Sequence, residues 1–287
     1  MPNLLLKISY DGTNFHGWQR QPGQRTVQGL LEEKLETLLR APVALEGSSR
    51  TDAGVHALGQ CATLRGDFKI PAARIPAALN NLLTDVCILS AEEKPEEFHA
   101  RFSAIGKTYL YRFAVTPALT PPPTPALTPS PALTQASALT STKIFLRNHA
   151  HLLAKRPNPD NMAEAAKLIE GTQDFACFQA AGGTPRETTV RTIFRIDVQN
   201  NTRTDLAGNS YEAIEIEITG DGFLYNMVRI IAGTLAEIGA GKLAPRDIID
   251  IINSKDRSRA GPTAPPQGLY LKEVYFDKLA PALQLRG

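Results

Sequence analysis

The chain has few of the residues that announce common functional classes. Only three cysteines occur in 287 residues, at 61, 87 and 177. The number is odd and no pair has C-x-x-C spacing, which argues against a disulfide framework or a zinc knuckle and leaves buried, reduced thiols as the expectation. No apolar run approaches the roughly 20 residues that span a bilayer, so no membrane partner is expected. The N-terminus, Met1-Pro-Asn-Leu-Leu-Leu-Lys-Ile8, has no basic leader and no small-residue cleavage site; it reads as a strand, and a cytoplasmic protein is expected. Neither sign of charge dominates. The 31 basic and 29 acidic residues leave a net charge of +2, so a nucleic-acid partner would need basic residues gathered on one face. Walker A, G-x-G-x-x-G, H-E-x-x-H and G-x-S-x-G signatures are missing as well, which removes the usual nucleotide, zinc-protease and serine-hydrolase readings.

What is present suffices for a globular core, with 43% apolar residues in a chain long enough for one large or two small domains. Leu4, Leu6, Ile8 and Tyr10 alternate as in a strand. Thr26 caps an expected helix with apolar positions Val27, Leu30, Leu31, Leu35, Leu38 and Leu39, and Glu32, Glu33 and Lys34 on its wet side. Strands are expected at 43–49, 57–65 and 85–91, a turn at Arg50–Gly54, and a proline-opened helix from Pro71 to Asn81. This β-α-β-β-α-β order is the ferredoxin-like one. A strand from Ile105 to Val115 follows. Later expectations are helices near 160–169, 224–239 and 245–253, and strands at 190–198, 211–219 and 270–276. The class is α+β with two sheet-containing halves. The boundaries are 1–104 for the first half, 105–279 for the second and 280–287 for a tail.

One segment departs from this pattern. Residues 116–142 repeat Ala-Leu-Thr at 118, 126, 132 and 138, hold seven of the 21 prolines and contain no charge and no aromatic residue. The stretch reads as a low-complexity insertion with no catalytic part.

The chemistry concentrates in Ser48-Ser-Arg-Thr-Asp-Ala-Gly-Val-His56, between two expected strands. A polar Asp-Gly turn is the ordinary explanation. The run has more polar side chains than a hairpin needs, however, and Arg50 and Asp52, two residues apart, can point the same way. A neighbouring guanidinium favours the ionised carboxylate, and a carboxylate held ionised in a partly enclosed turn is a candidate nucleophile. The histidines carry less. His149 and His151 have no third ligand near them in sequence, so no metal site is expected, and His16, His56 and His99 read as hydrogen-bonded structural residues.

The segment Gly47–Gly54 resembles the active-site segment of the TruA family of tRNA pseudouridine synthases, with Ser49 where that family has glycine. Other blocks resemble it in the same order. They are Tyr10-Asp-Gly-Thr-Asn-Phe-His-Gly-Trp-Gln-Arg-Gln21, Thr26-Val-Gln28, Phe98-His-Ala-Arg-Phe-Ser-Ala104 with Lys107-Thr-Tyr-Leu-Tyr111, Asp174-Phe-Ala-Cys-Phe178, Phe223-Leu-Tyr-Asn-Met-Val-Arg229, and Ala264-Pro-Pro-Gln-Gly-Leu-Tyr-Leu271. The 116–142 insertion is the clear departure.

The resemblance implies a pseudouridine-synthase fold of two ferredoxin-like halves with the active-site cleft between them. It implies isomerisation of uridine to pseudouridine at positions 38, 39 and 40 of the tRNA anticodon stem-loop, and a homodimer in which one tRNA spans both subunits. Asp52 is then the nucleophile, at C6 of the ring or at C1′ of the ribose. Tyr109 contacts the flipped uracil, and Arg229 matches an arginine paired with the catalytic aspartate. Arg50 either pairs with Asp52 or holds the nucleotide backbone. Arg20, Arg25 and Lys107 are candidate phosphate contacts. The isomerisation is redox-neutral, so no cofactor and no metal are expected. Two other readings compete: a pseudouridine synthase with another RNA target, and a tRNA-binding protein without chemistry.

Overall fold

The computed structural model describes residues 2–66, 70–116, 141–183 and 187–277. The expected insertion lies outside these residues except at its edges, as does the expected tail. The described residues form two compact units. One contains the residues up to Tyr109 and those from Leu269 onward, the other Leu110–Gly268.

The first unit begins with β1 (Asn3–Tyr10), whose Leu4, Leu6 and Ile8 are buried. Helix α1 (Val27–Leu39) starts where the sequence places its cap. Thr26 is extended and its Oγ1 accepts from the Gly29 N–H at 3.3 Å, satisfying one of the helix's orphan donors. Glu32 departs from expectation. It is buried rather than on the wet side, because its Oε1 accepts from Leu45 N (2.9 Å) and Gln28 Nε2 (3.1 Å), and Arg20 lies 3.2 Å from Oε2. A carboxylate can leave water when hydrogen bonds and a counter-charge replace its hydration.

β2 (Leu45–Gly47) and β3 (His56–Arg65) are antiparallel, with Leu45 opposite Leu64 and Gly47 opposite Ala62. The helix expected from Pro71 to Asn81 is instead a 3-10 turn at Ala72–Arg74 followed by α2 (Ile75–Asn80). Pro76 explains the break, since proline is tolerated only in a helix's first turn and the α-helix therefore restarts beside it. β4 (Val86–Lys94) pairs antiparallel with β1, and β1 pairs antiparallel with β3. The order β4-β1-β3 with β2 on β3 is the ferredoxin-like arrangement read from the sequence. The final strand, β10 (Leu269–Tyr275), runs parallel to the start of β3, with Tyr270 opposite His56.

β5 (Gly106–Val115) runs across the division between the units. In the second unit it is followed by β6 (His151–Leu153), α3 (Pro159–Ile169), β7 (Gly171–Asp174), β8 (Val190–Thr204), β9 (Ser210–Gly220), α4 (Met227–Gly239) and α5 (Asp247–Ser254). The strand order is β5-β9-β8-β7, with β6 on β5. Ile214, Ile216 and Ile218 of β9 are buried, as their alternation predicts. Between them, Glu215 is buried as well. Burial alone would raise its carboxyl pKa, but hydrogen bonds from Arg203 (2.6 Å) and Arg112 (2.8 Å) hold it below the usual range. α4 begins at Met227, not at 224, and almost its whole length is buried. No helix among the described residues is long and apolar enough to cross a membrane.

Candidate active site

β2 ends at Gly47, and the chain crosses to β3 through Ser48–Val55. Two buried serines anchor the start of this crossing. Gln60, fully buried on β3, accepts from Ser48 Oγ at 2.9 Å and donates from Nε2 to the Ser49 carbonyl at 2.8 Å. Ser48 N–H donates to the Cys61 carbonyl at 2.8 Å. Lys107 Nζ, from β5, donates to the Ser48 carbonyl at 2.8 Å, so this residue binds the loop's own backbone. Thr51 Oγ1 shares a 2.7 Å hydrogen bond with the buried Tyr10 hydroxyl. Val55 N–H closes a tight turn onto the Asp52 carbonyl at 3.1 Å.

A second loop, Asp11–Trp18, is pressed against the first. Trp18 N–H donates to the Thr51 carbonyl (3.1 Å) and Gly54 N–H to the Phe15 carbonyl (3.2 Å). Gly17 has φ +84°, and a Cβ there would lie 2.5 Å from the Thr51 oxygen and 3.2 Å from the Asp52 carbonyl carbon. A Cβ on Gly12 would overlap the Val55 carbonyl. The two backbones approach so closely that only glycine fits, which is the physical content of the motif Tyr10-Asp-Gly-Thr-Asn-Phe-His-Gly-Trp18. His56 belongs to the same clamp. It is buried, its Nδ1 accepts from Gly12 N–H at 3.1 Å, and its ring stacks on Tyr270 at 4.7 Å. His99, whose Nε2 lies 2.9 Å from a Glu46 carboxylate oxygen, is likewise structural.

On this frame Asp52 is half-buried and Arg50 exposed. Tyr109 is buried on β5, and its hydroxyl donates to Ser49 Oγ at 3.4 Å. Its phenol is pushed up to about 12, chiefly by burial; the Ser49 hydrogen bond opposes the shift and the negative charge of Asp52 adds to it. The structure thus brings Asp52 and Tyr109 into one electrostatic neighbourhood. Ser49, the departure from the family's glycine, supplies the hydroxyl that meets Tyr109.

The raised phenol gives a measurable sign. Between pH 10 and about 12 the folded protein keeps a proton that the unfolded chain has lost. Its contribution to stability is full below pH 10 and is lost as pH rises through about 12. In urea melts over that window, Tyr109→Phe is expected to lose stability with pH less steeply than the wild type. Parallel curves would show that Tyr109 is not the buried phenol described.

Arg229 lies in the second unit, on α4. Its Nε donates to the Ala264 carbonyl at 2.7 Å and its Nη1 to Asn226 Oδ1 at 2.8 Å. The small residues beside it let another segment come close, since a Cβ on Gly233 would overlap the Pro262 carbonyl. Arg20 is paired with Glu32, and Arg25 with Asp85 at 2.7 Å while lying 4.0 Å over the Phe15 ring, so both have structural partners. Of the cysteines, Cys61 and Cys177 are buried as expected, with burial raising their thiols to about 12 and about 11. Cys87 is exposed, because it takes an outward position on β4. Gln60 and Tyr10 were missed as site residues. For Gln60 the signal is polarity inside a strand otherwise rich in buried residues, and Tyr10 also opens the Tyr10–Gln21 block.

Comparison with known proteins gives the family. A family described as tRNA pseudouridine synthase matches residues 7–103 and 165–277. A Clostridium tetani protein named tRNA pseudouridine synthase A 2 is 41% identical over 278 residues, covering 96% of this chain and 99% of that protein. A Ruminiclostridium cellulolyticum protein named tRNA pseudouridine synthase A is 44% identical over 277 residues, covering 96% of this chain and all of its own. One from Bacillus pumilus, also named tRNA pseudouridine synthase A, is 41% identical and covers 94% of this chain. The chain belongs to the tRNA pseudouridine synthase family of isomerases, and its α+β architecture is that of the family.

Proposed function

We propose that the protein converts uridine to pseudouridine at positions 38, 39 and 40 of the tRNA anticodon stem-loop, with Asp52 as nucleophile. The observation that carries this reading is a half-buried carboxylate on a loop fixed by backbone hydrogen bonds, electrostatically coupled to the buried Tyr109. In the isomerisation the N1–C1′ bond breaks, the uracil turns, C1′ joins C5, the C5 proton leaves and N1 gains a proton. No electron is gained or lost, so the step needs no redox cofactor. A stacked base must first leave the helix, at a cost of a few kcal/mol drawn from contacts elsewhere on the RNA. Tyr109 then borders the flipped uracil, and Arg50 and Arg229 bind the substrate. The enzyme works in the cytoplasm as a homodimer on one tRNA.

The test is release of tritium from tRNA transcripts labelled at uridine C5, followed by position mapping of pseudouridine. Stoichiometric release with product at 38, 39 and 40 is expected. Product elsewhere only would replace the target, and tRNA binding without release would make the protein a binder.

A further inference from the structure

We infer that Asn226 is a positioning residue for Arg229, placed in a left-handed backbone conformation to supply a side-chain acceptor that glycine could not. The inference rests on the assignment of Arg229 to the substrate. Asn226 is the third residue of a turn closed by Met227 N–H on the Leu224 carbonyl at 3.1 Å, with φ 60° and ψ 8°. Among the described residues only Arg40 and Lys255 share a positive φ without being glycine, and both are helix C-caps, where that conformation is ordinary. Asn226 stands at a helix N-terminus. An N-cap is normally extended, and asparagine is favoured there because its side chain caps the first turn. Here it makes no capping bond. Its Oδ1 accepts from Arg229 Nη1 instead, at 2.8 Å.

The second hold on Arg229 is reciprocal with one residue. Nε donates to the Ala264 carbonyl at 2.7 Å, while Ala264 N–H donates to the Arg229 carbonyl at 3.1 Å. A guanidinium is a rigid planar fork of five donors, so fixing two of them sets the direction of the others. The Nε contact to Ala264 and the Nη1 contact to Asn226 lie on different nitrogens of the fork, so the asparagine adds a constraint on the guanidinium plane that the Nε contact does not supply. An arginine ordered before substrate arrives need not lose rotamer freedom in the reaction. Glycine at 226 would suit the turn better than asparagine and would remove the acceptor from Arg229 Nη1.

Asn226→Gly keeps the turn and removes the acceptor, so the chain should fold normally. Its kcat on tRNA is expected to fall about 10- to 100-fold, with KM changed by less than about threefold. Asn226→Asp retains Oδ1 and should recover most of the loss. Combined with Arg229→Lys, Asn226→Gly should add nothing to the defect of Arg229→Lys alone, because a residue that acts only through Arg229 has nothing left to position. Wild-type kcat in Asn226→Gly, no recovery in Asn226→Asp, or additive losses in the double variant would each overturn the positioning role. Near wild-type turnover in Arg229→Lys and Arg229→Ala would instead overturn the assignment of Arg229 itself.

Discussion

Asp52→Asn is expected to lower pseudouridine formation by at least about 10⁴-fold, the scale seen when an essential catalytic group is removed. The carboxamide has nearly the carboxylate's shape. Two backbone contacts fix the loop at this point, Val55 N–H on the Asp52 carbonyl and Trp18 N–H on the Thr51 carbonyl, and the substitution touches neither. Thermal stability should therefore stay close to that of the wild type. Affinity for tRNA should hold or rise slightly, because an anion near phosphate is removed. Asp52→Ala belongs in the same experiment, since deamidation of the asparagine would restore the wild-type residue. Measurable turnover in both variants, within about tenfold of the wild type, would remove Asp52 from the chemistry. Trapping of a stable RNA adduct and identification of its linkage would then separate attack at C6 from attack at C1′.

Sequence periodicity located the elements that bury one face and have a clear end. Thr26 marked the start of α1 to the residue, and the isoleucine alternation of β9 predicted its buried face. What it missed has particular causes. β6 and β7 are three and four residues long, too short for any period to register. β8 continues past 198 through Gln199–Thr204, a polar run held as strand by its ladder to β9, not by any apolar pattern of its own. The charge of Glu32 places it on the wet side of its helix, but both it and Glu215 are buried, each neutralised from outside its own element, by Arg20 in one case and by Arg112 and Arg203 in the other. The pairing of β10 with the start of β3, across more than two hundred residues, leaves no local trace.

The candidate site was legible to a similar degree. Asp52 and Tyr109 could be named from motifs, and the structure gives the reason for the residues around them. Gly12 and Gly17 are there for close approach, and the serines before Arg50 are held by Gln60. None of those three reasons can be seen without the partner strand or loop in place. Arg229 could be named as well, but the asparagine and the Ala264 carbonyl that orient it could not, because the Ala264 contact spans 35 residues and the Asn226 contact depends on a left-handed turn.

Gly17→Ala is expected to damage stability and catalysis together, and Gly23→Ala separates the causes. Both glycines have positive φ, +84° and +69°, so alanine at either pays a left-handed penalty of about 1–2 kcal/mol. Around Gly23 a Cβ would meet nothing within 4 Å, whereas at Gly17 it would sit 2.5 Å from the Thr51 carbonyl oxygen. The Cβ is fixed by its own backbone and the atom it meets is backbone, so no side chain can swing away. Relief requires the Asp11–Trp18 loop and the Asp52 loop to part, and overpacking of this kind adds about 1–3 kcal/mol. Gly17→Ala should thus lose about 2–5 kcal/mol in chemical denaturation. Its kcat should fall by about 100-fold, the effect of moving a reacting group by roughly 1 Å. Gly23→Ala should lose only the left-handed penalty of about 1–2 kcal/mol and keep wild-type kcat. Equal effects of the two substitutions would mean that the clamp on Thr51 does not place Asp52. A kcat loss confined to Gly17→Ala, measured at a temperature where both variants are folded, would tie the position of the carboxylate to the loop that precedes α1.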